Sequence, residues 1–147
     1  MAIKNYTTTK HPIESIGEIQ AALAKGGAKK VMIDYDESGE PIAIAFAIET
    51  PRGLAGFQLS ANIDGVKAVF QKQKLKVNEE QARKTAWRNI RDWVLAQMAF
   101  VEAGNASTEE AFLPYLTDAQ GNTLHQAYLQ GTLLLGDVEE QNEYNSN

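Results

Sequence analysis

The ten residues Pro41–Thr50, "PIAIAFAIET", constrain the fold more than any other part of the chain. Ile42, Ile44, Phe46 and Ile48 alternate with Ala43, Ala45 and Ala47. A period of two sends large side chains to one face of a strand and small ones to the other. Such a strand cannot stand alone, because one or two strands bury too little to persist in water. Its partners lie on either side. "KKVMIDYD" alternates Val31, Ile33 and Tyr35, and "LAGFQLSA" puts Phe57 and Leu59 on one side. The links "ESGE" and "PRG" are short and rich in turn formers, which predicts an antiparallel three-stranded meander. On the alanine face the expected neighbour is a closely packed helix; the alternative is a shallow surface left open to a ligand.

Helices are expected around this sheet. "HPIESIGEIQAALAKGG" has Pro12 at the first helical position, Ile16, Ile19 and Leu23 on one face, and Gly26 as a left-handed cap. A short helix is expected over about 63–74, with Val66, Val69 and Phe70 inward. A long one should follow from Asn78 as N-cap to Gly104, with Glu79 and Glu80 favouring its positive end. Ser107 and Glu110 fit a capping box that opens another helix, which Pro114 should bend or stop. "TLHQAYLQG" is one more short helix ending at Gly131. The expected fold class is α+β: an N-terminal helix, the meander, then several helices packed on the sheet. It forms one domain over residues 1–136, before an acidic tail, 137–147, that is expected to be mobile.

The long helix bears most directly on function, since "KTAWRNIRDWVLAQMAF" places two tryptophans and two arginines close together. On a helical wheel Ala86, Trp87, Ile90, Trp93, Val94, Met98, Phe100 and Val101 share an arc of about 160°, the width of a core-facing side. Lys84, Arg88 and Arg91 form a stripe on the other side, continued by Leu95 and Glu102. Arg88 can pair with Asp92 one turn on. Aromatic and basic groups are therefore not interleaved on one surface.

Charge adds an asymmetry to a net value of −5. Lys67, Lys72, Lys74, Lys76, Arg83, Lys84, Arg88 and Arg91 are met between residues 67 and 91 only by Glu79 and Glu80. From Asp92 onward there is no lysine or arginine. A basic middle before an acidic end points to an anionic partner, or to two regions that neutralise each other. The candidate nucleic-acid-binding residues are Lys72, Lys74, Lys76, Arg83, Lys84, Arg88 and Arg91, beside a sheet carrying Tyr35, Phe46 and Phe57. Basic groups would fix phosphates while exposed aromatics stack on unpaired bases. Neutralising roughly four to six phosphates of a single strand gives a log–log salt slope of about −3 to −4. Charge reversal at Lys84, Arg88 and Arg91 is expected to abolish binding and leave the fold intact.

Other chemistries find little support. The chain has no cysteine and only His11 and His125, which removes thiol catalysis and zinc–thiolate sites. "DYDESG" begins like a calcium loop, but Ala45 stands where the bidentate glutamate is needed, so a β-turn is expected. "AKGGAKK" lacks the ending of a phosphate loop and reads as a helix cap running into a strand. No catalytic residue, cofactor or metal site is expected. No apolar run reaches the roughly 18 residues of a membrane span. "MAIKNYTTTK" lacks the apolar stretch of a signal peptide. A cytoplasmic chain, free of membrane, is expected. "TLLLG", Thr132–Gly136, is a candidate for docking on the parent fold or in a homo-oligomer.

"TAWRNIRDWVLAQMAFVE", with "EEAFLPYL", resembles a family of small tailed-phage and prophage proteins. "AIKNYTT", "SIGEIQAALAKGGAKKVMIDYD" and "LTDAQGNTLHQAY" fit it too, so the likeness covers most of the chain. The resemblance implies a phage gene acting inside a bacterial cell, and carries over no functional residue. The expected function is thus that of a non-enzymatic phage accessory protein binding DNA, single-stranded by preference. The alternatives are an anti-defence or host-inhibitory protein offering its acidic C-terminal third to a basic partner, and a binder of a nucleotide signal using the same cations. The helix–three-strand–helix order also resembles the double-stranded-RNA-binding domain, in fold alone and with an extra helix inserted.

Overall fold

The computed structural model describes residues 1–131 of the 147. The "TLLLG" run and the acidic tail lie outside the described residues. Helix α1 (Pro12–Lys25) leads into strands β1 (Ala28–Tyr35), β2 (Pro41–Thr50) and β3 (Gly53–Ser60). Helices α2 (Ile63–Lys72), α3 (Glu79–Glu102) and α4 (Thr108–Ala111) follow, then a 3-10 turn (Leu113–Tyr115) and helix α5 (Leu124–Leu129). The sheet is antiparallel in the order β1-β2-β3, as the meander requires. Leu116 and Thr117 run beside β3, where Leu116 bridges Phe57 and the Thr117 amide donates to the Gly56 carbonyl at 2.8 Å.

Register sorts the strands into two faces. Phe46 sits between Val31 and Phe57, and Ile44 between Ile33 and Leu59. These residues face the helices and join Ile16, Ile19 and Leu23 of α1, Val66 and Phe70 of α2, and Ala82, Ala86, Trp87 and Val94 of α3 in one core. Phe46 and Phe57 stack at 5.2 Å, and Phe112 closes on Phe46 edge-to-face at the same distance. Fully burying each such ring contributes roughly 1.5–3 kcal/mol. The opposite register row is Met32–Ala45–Gln58, flanked by Lys30–Ala47–Gly56 and Asp34–Ala43–Ser60.

Several expectations need correction. No described helix fills the alanine face, which stays open around Ala45 and Ala47. The left-handed cap after α1 is Gly27 (φ 101°) rather than Gly26. Gly26 lies instead against Met98 of α3, whose methyl group occupies the space a Cβ would take. Helix α2 stops at Lys72, two residues early. Phe100 is 56% exposed. Its position on the core-facing arc does not bury it, because α3 has 24 residues and runs about 36 Å, longer than the eight-residue β1 and β3 at about 27 Å. Tyr35 leaves the inner face at a register shift and is 61% exposed.

Candidate nucleic-acid interface

The seven candidate cations divide into two groups by local structure. Lys72, Lys74 and Lys76 occupy the end of α2 and the link to α3; all three are exposed and form no ion pair among the described residues. The link is a tight helix ending: the Leu75 amide donates to the Phe70 carbonyl at 2.9 Å and the Lys74 amide to that of Gln71 at 3.1 Å. This pattern puts Lys74 in the left-handed region, φ 57°, at a position where glycine is usual. Leu75 and Val77 point inward and pack on the core, so the lysines alternate outward.

Arg83, Lys84, Arg88 and Arg91 are half-buried on α3, and each meets a carboxylate. Arg83 lies 3.5 Å from Glu79 and 3.9 Å from Glu40, and Lys84 is 3.5 Å from Glu80. Arg88 pairs with Asp92 at 3.2 Å, as its spacing predicts. Arg91 bridges Glu18 of α1 at 2.5 Å and Asp92 at 2.9 Å, while Lys10 pairs with the other oxygen of Glu18. The basic stripe of α3 is thus already neutralised within the fold. Charge reversal at Arg88 and Arg91 would set new anions beside Asp92 and Glu18. Such a variant is expected to lose stability, so its loss of binding would not isolate this surface.

A second layer over that stripe was not legible in the sequence. Residues 1–10 run across α3 as a strap. Ile3 donates its amide to Gln73 Oε1 at 2.8 Å, and Gln81 Nε2 donates to the Thr8 carbonyl at 3.0 Å. Asn5 is the central fastening. Its Nδ2 donates to Asn89 Oδ1 and Asp92 Oδ2, both at 2.9 Å, and its carbonyl accepts from Thr85 Oγ1 at 2.9 Å. Asn5 has φ 66°, a conformation asparagine tolerates better than most residues. That identity, within "KNYTTT", was the one available signal. Burial pushes the Asp92 carboxyl up, but hydrogen bonds from Asn5, Arg91 and Arg88 outweigh it and bring its pKa to about 2. Hydrogen bonds from Lys10 and Arg91 hold Glu18 below the usual carboxylate range, and Asp92 and Glu18 raise Arg91.

Of the expected aromatic platform only Tyr35 reaches the surface; the two phenylalanines do not. Phe46 and Phe57 are 3% and 1% exposed, on the inner face. Trp87 is fully buried and donates its Nε1–H to the Pro41 carbonyl at 3.0 Å; Trp93 packs edge-to-face on Phe112 and Tyr115. Both tryptophans serve the core. "DYDESG" forms a turn in which Asp36 Oδ1 accepts from the amides of Ser38 and Glu40. Among the described residues no three His, Asp or Glu side chains gather as a metal site would require, and no helix is long and apolar enough to cross a membrane. Comparison of the chain with protein-family models, curated proteins and solved structures gives no match.

Proposed function

We propose that this is a non-enzymatic accessory protein that binds DNA through phosphate contacts of Lys72, Lys74 and Lys76. The observation that carries this reading is that, among the described residues, these three exposed cations form no ion pair, whereas the four on α3 are held by carboxylates. Free ammonium groups on a short exposed link can release counterions from phosphates; paired ones must first break their pairs. A phage setting, expected from the sequence resemblance alone, is one in which DNA is handled.

The reading has a quantitative consequence. Three lysines neutralise about three phosphates, so the log–log salt slope on a single strand should be near −2, not −3 to −4. Fluorescence anisotropy with labelled oligonucleotides at several salt concentrations measures it. Lys72→Glu/Lys74→Glu/Lys76→Glu should remove binding in a chain that still melts cooperatively. Unchanged affinity in that variant would rule out this surface.

One observation favours a protein partner instead. Between Trp93 and Gly131 the chain carries Glu102, Glu109, Glu110 and Asp118 without one lysine or arginine, alongside exposed Phe100, Leu113, Tyr128 and Leu129. Apolar anchors in an acidic setting suit a basic partner surface. Absence of oligonucleotide binding even at low salt would turn attention there.

A further inference from the structure

The open face of the sheet carries a feature that DNA binding through the α2–α3 link does not use. In an antiparallel sheet with one face in water, outward positions are normally polar. Here Ala45 and Ala47 of β2 stand on that face, beyond the buried Ala43, although alanine is depleted in strands. Beside Ala47 lies Gly56, where an added Cβ would come within 3.1 Å of Thr117 Oγ1. Ala45, Ala47 and Gly56 thus form a floor with almost no side-chain relief. Met32, 64% exposed, and Lys30 stand on the β1 side, while Thr117 and Gly121 stand on the other. The hollow holds about 260 Å³ and also exposes Gln58.

Size decides among occupants. Three strands about 4.8 Å apart and eight residues long at about 3.3 Å present roughly 400 Å², half of the roughly 800 Å² each partner of a stable dimer buries. The volume is also below the roughly 300–1,000 Å³ of drug-sized sites. A ring system fits where a second subunit does not. The chemistry narrows it further. A flat apolar floor accepts a planar face, and the Met32 thioether makes favourable contact with an aromatic edge. Lys30 forms no ion pair among the described residues and stands at the mouth, where it favours a negative group. Gln58 supplies one amide able both to donate and to accept.

We infer that the hollow over Ala45, Ala47 and Gly56 binds a single planar aromatic ring system bearing one anionic group, with Lys30 as the counter-charge. The ring lies on the alanine floor against Met32, and its carboxylate or phosphate reaches Lys30. The site is separate from Lys72, Lys74 and Lys76, so loss of either leaves the other in place.

The test uses naphthalene-2-sulfonate, one planar ring system with one anionic group, with the full chain, read by amide NMR shifts. Saturable one-site binding is expected, with the largest shifts at Ala45, Ala47 and Gly56. Ala47→Leu should abolish it by filling the floor, and Lys30→Gln should weaken it about tenfold. Ala99→Leu, in the apolar groove between α1 and α3, should change nothing. Competition by indole-3-acetate against adenosine monophosphate tells a carboxylate-bearing ring from a phosphate-bearing one. Shifts confined to the α1–α3 groove, or binding retained in a folded Ala47→Leu chain, would overturn the inference. Binding seen only after removal of residues 132–147 would overturn it too, in favour of an internal occupant. The wild-type shift map decides the matter even if Ala47→Leu fails to fold.

Discussion

At the scale of single residues, Lys74 and Asp92 make opposite demands on the fold. Lys74 holds a left-handed conformation that glycine adopts without cost, at an exposed position with no packing role. Lys74→Gly should leave stability unchanged or raise it by up to about 1 kcal/mol in a denaturant melt. The same substitution should flatten the DNA salt slope by about 0.7 if the lysine contacts a phosphate. Gain in stability with loss of binding is what a residue kept for function would show. Asp92 works the other way. Its carboxyl titrates at about 2 in the folded chain against a reference of 3.8, so its ionised form stabilises the fold. That contribution is complete above the reference value and is lost as pH falls from about 4 toward 2. At most it amounts to about 2 kcal/mol. Asp92→Asn should remove most of this acid sensitivity, measured as melting temperature against pH. Trp87→Phe removes the donor to the Pro41 carbonyl and leaves a cavity where the second ring lay, and should cost at least about 1–3 kcal/mol.

At the scale of elements, the sheet and helices were legible because their signals are local. The alternation in β2, the Asn78 cap that accepts from the Gln81 amide, and the Ser107–Glu110 capping box each specify their structure within a few residues. Both tryptophans were likewise assignable to the core from the wheel. The electrostatic state of α3 was not legible, for a physical reason. Arg91 is neutralised in part by Glu18, and Asn5 reaches Asp92 across 87 positions. No periodicity carries such a contact, so a half-buried, paired stripe looked the same in sequence as a free one. The strap provides its own test. Asn5→Ala removes the hydrogen bonds to Asn89 and Asp92, and should raise amide exchange over residues 3–8 with little change in the β2 amides. Equal loss of protection in both segments would mean that the strap and the core open as one unit.

At the scale of the whole molecule, charge and apolar surface are distributed unevenly. Among the described residues the three lysines of the α2–α3 link form no ion pair, the cations of α3 are consumed internally, and the outer face of the sheet offers an alanine floor. Each surface has a separate measurement, so the failure of one does not decide another. The strap also bears on how the chain reaches this state. Residues 3–8 leave the ribosome long before residues 81–92, yet their hydrogen bonds join the two. Closing so long a loop carries an entropic cost that local hairpins do not. Helix α1 closes a loop of similar length onto α3, and only the short link before Pro12 is then left to close, so the leading residues can be fastened last. Refolding followed at Trp87 should then run ahead of protection at residues 3–8. In a chain still being synthesised, the arginines of α3 meet their neighbours on α1 before the strap covers them.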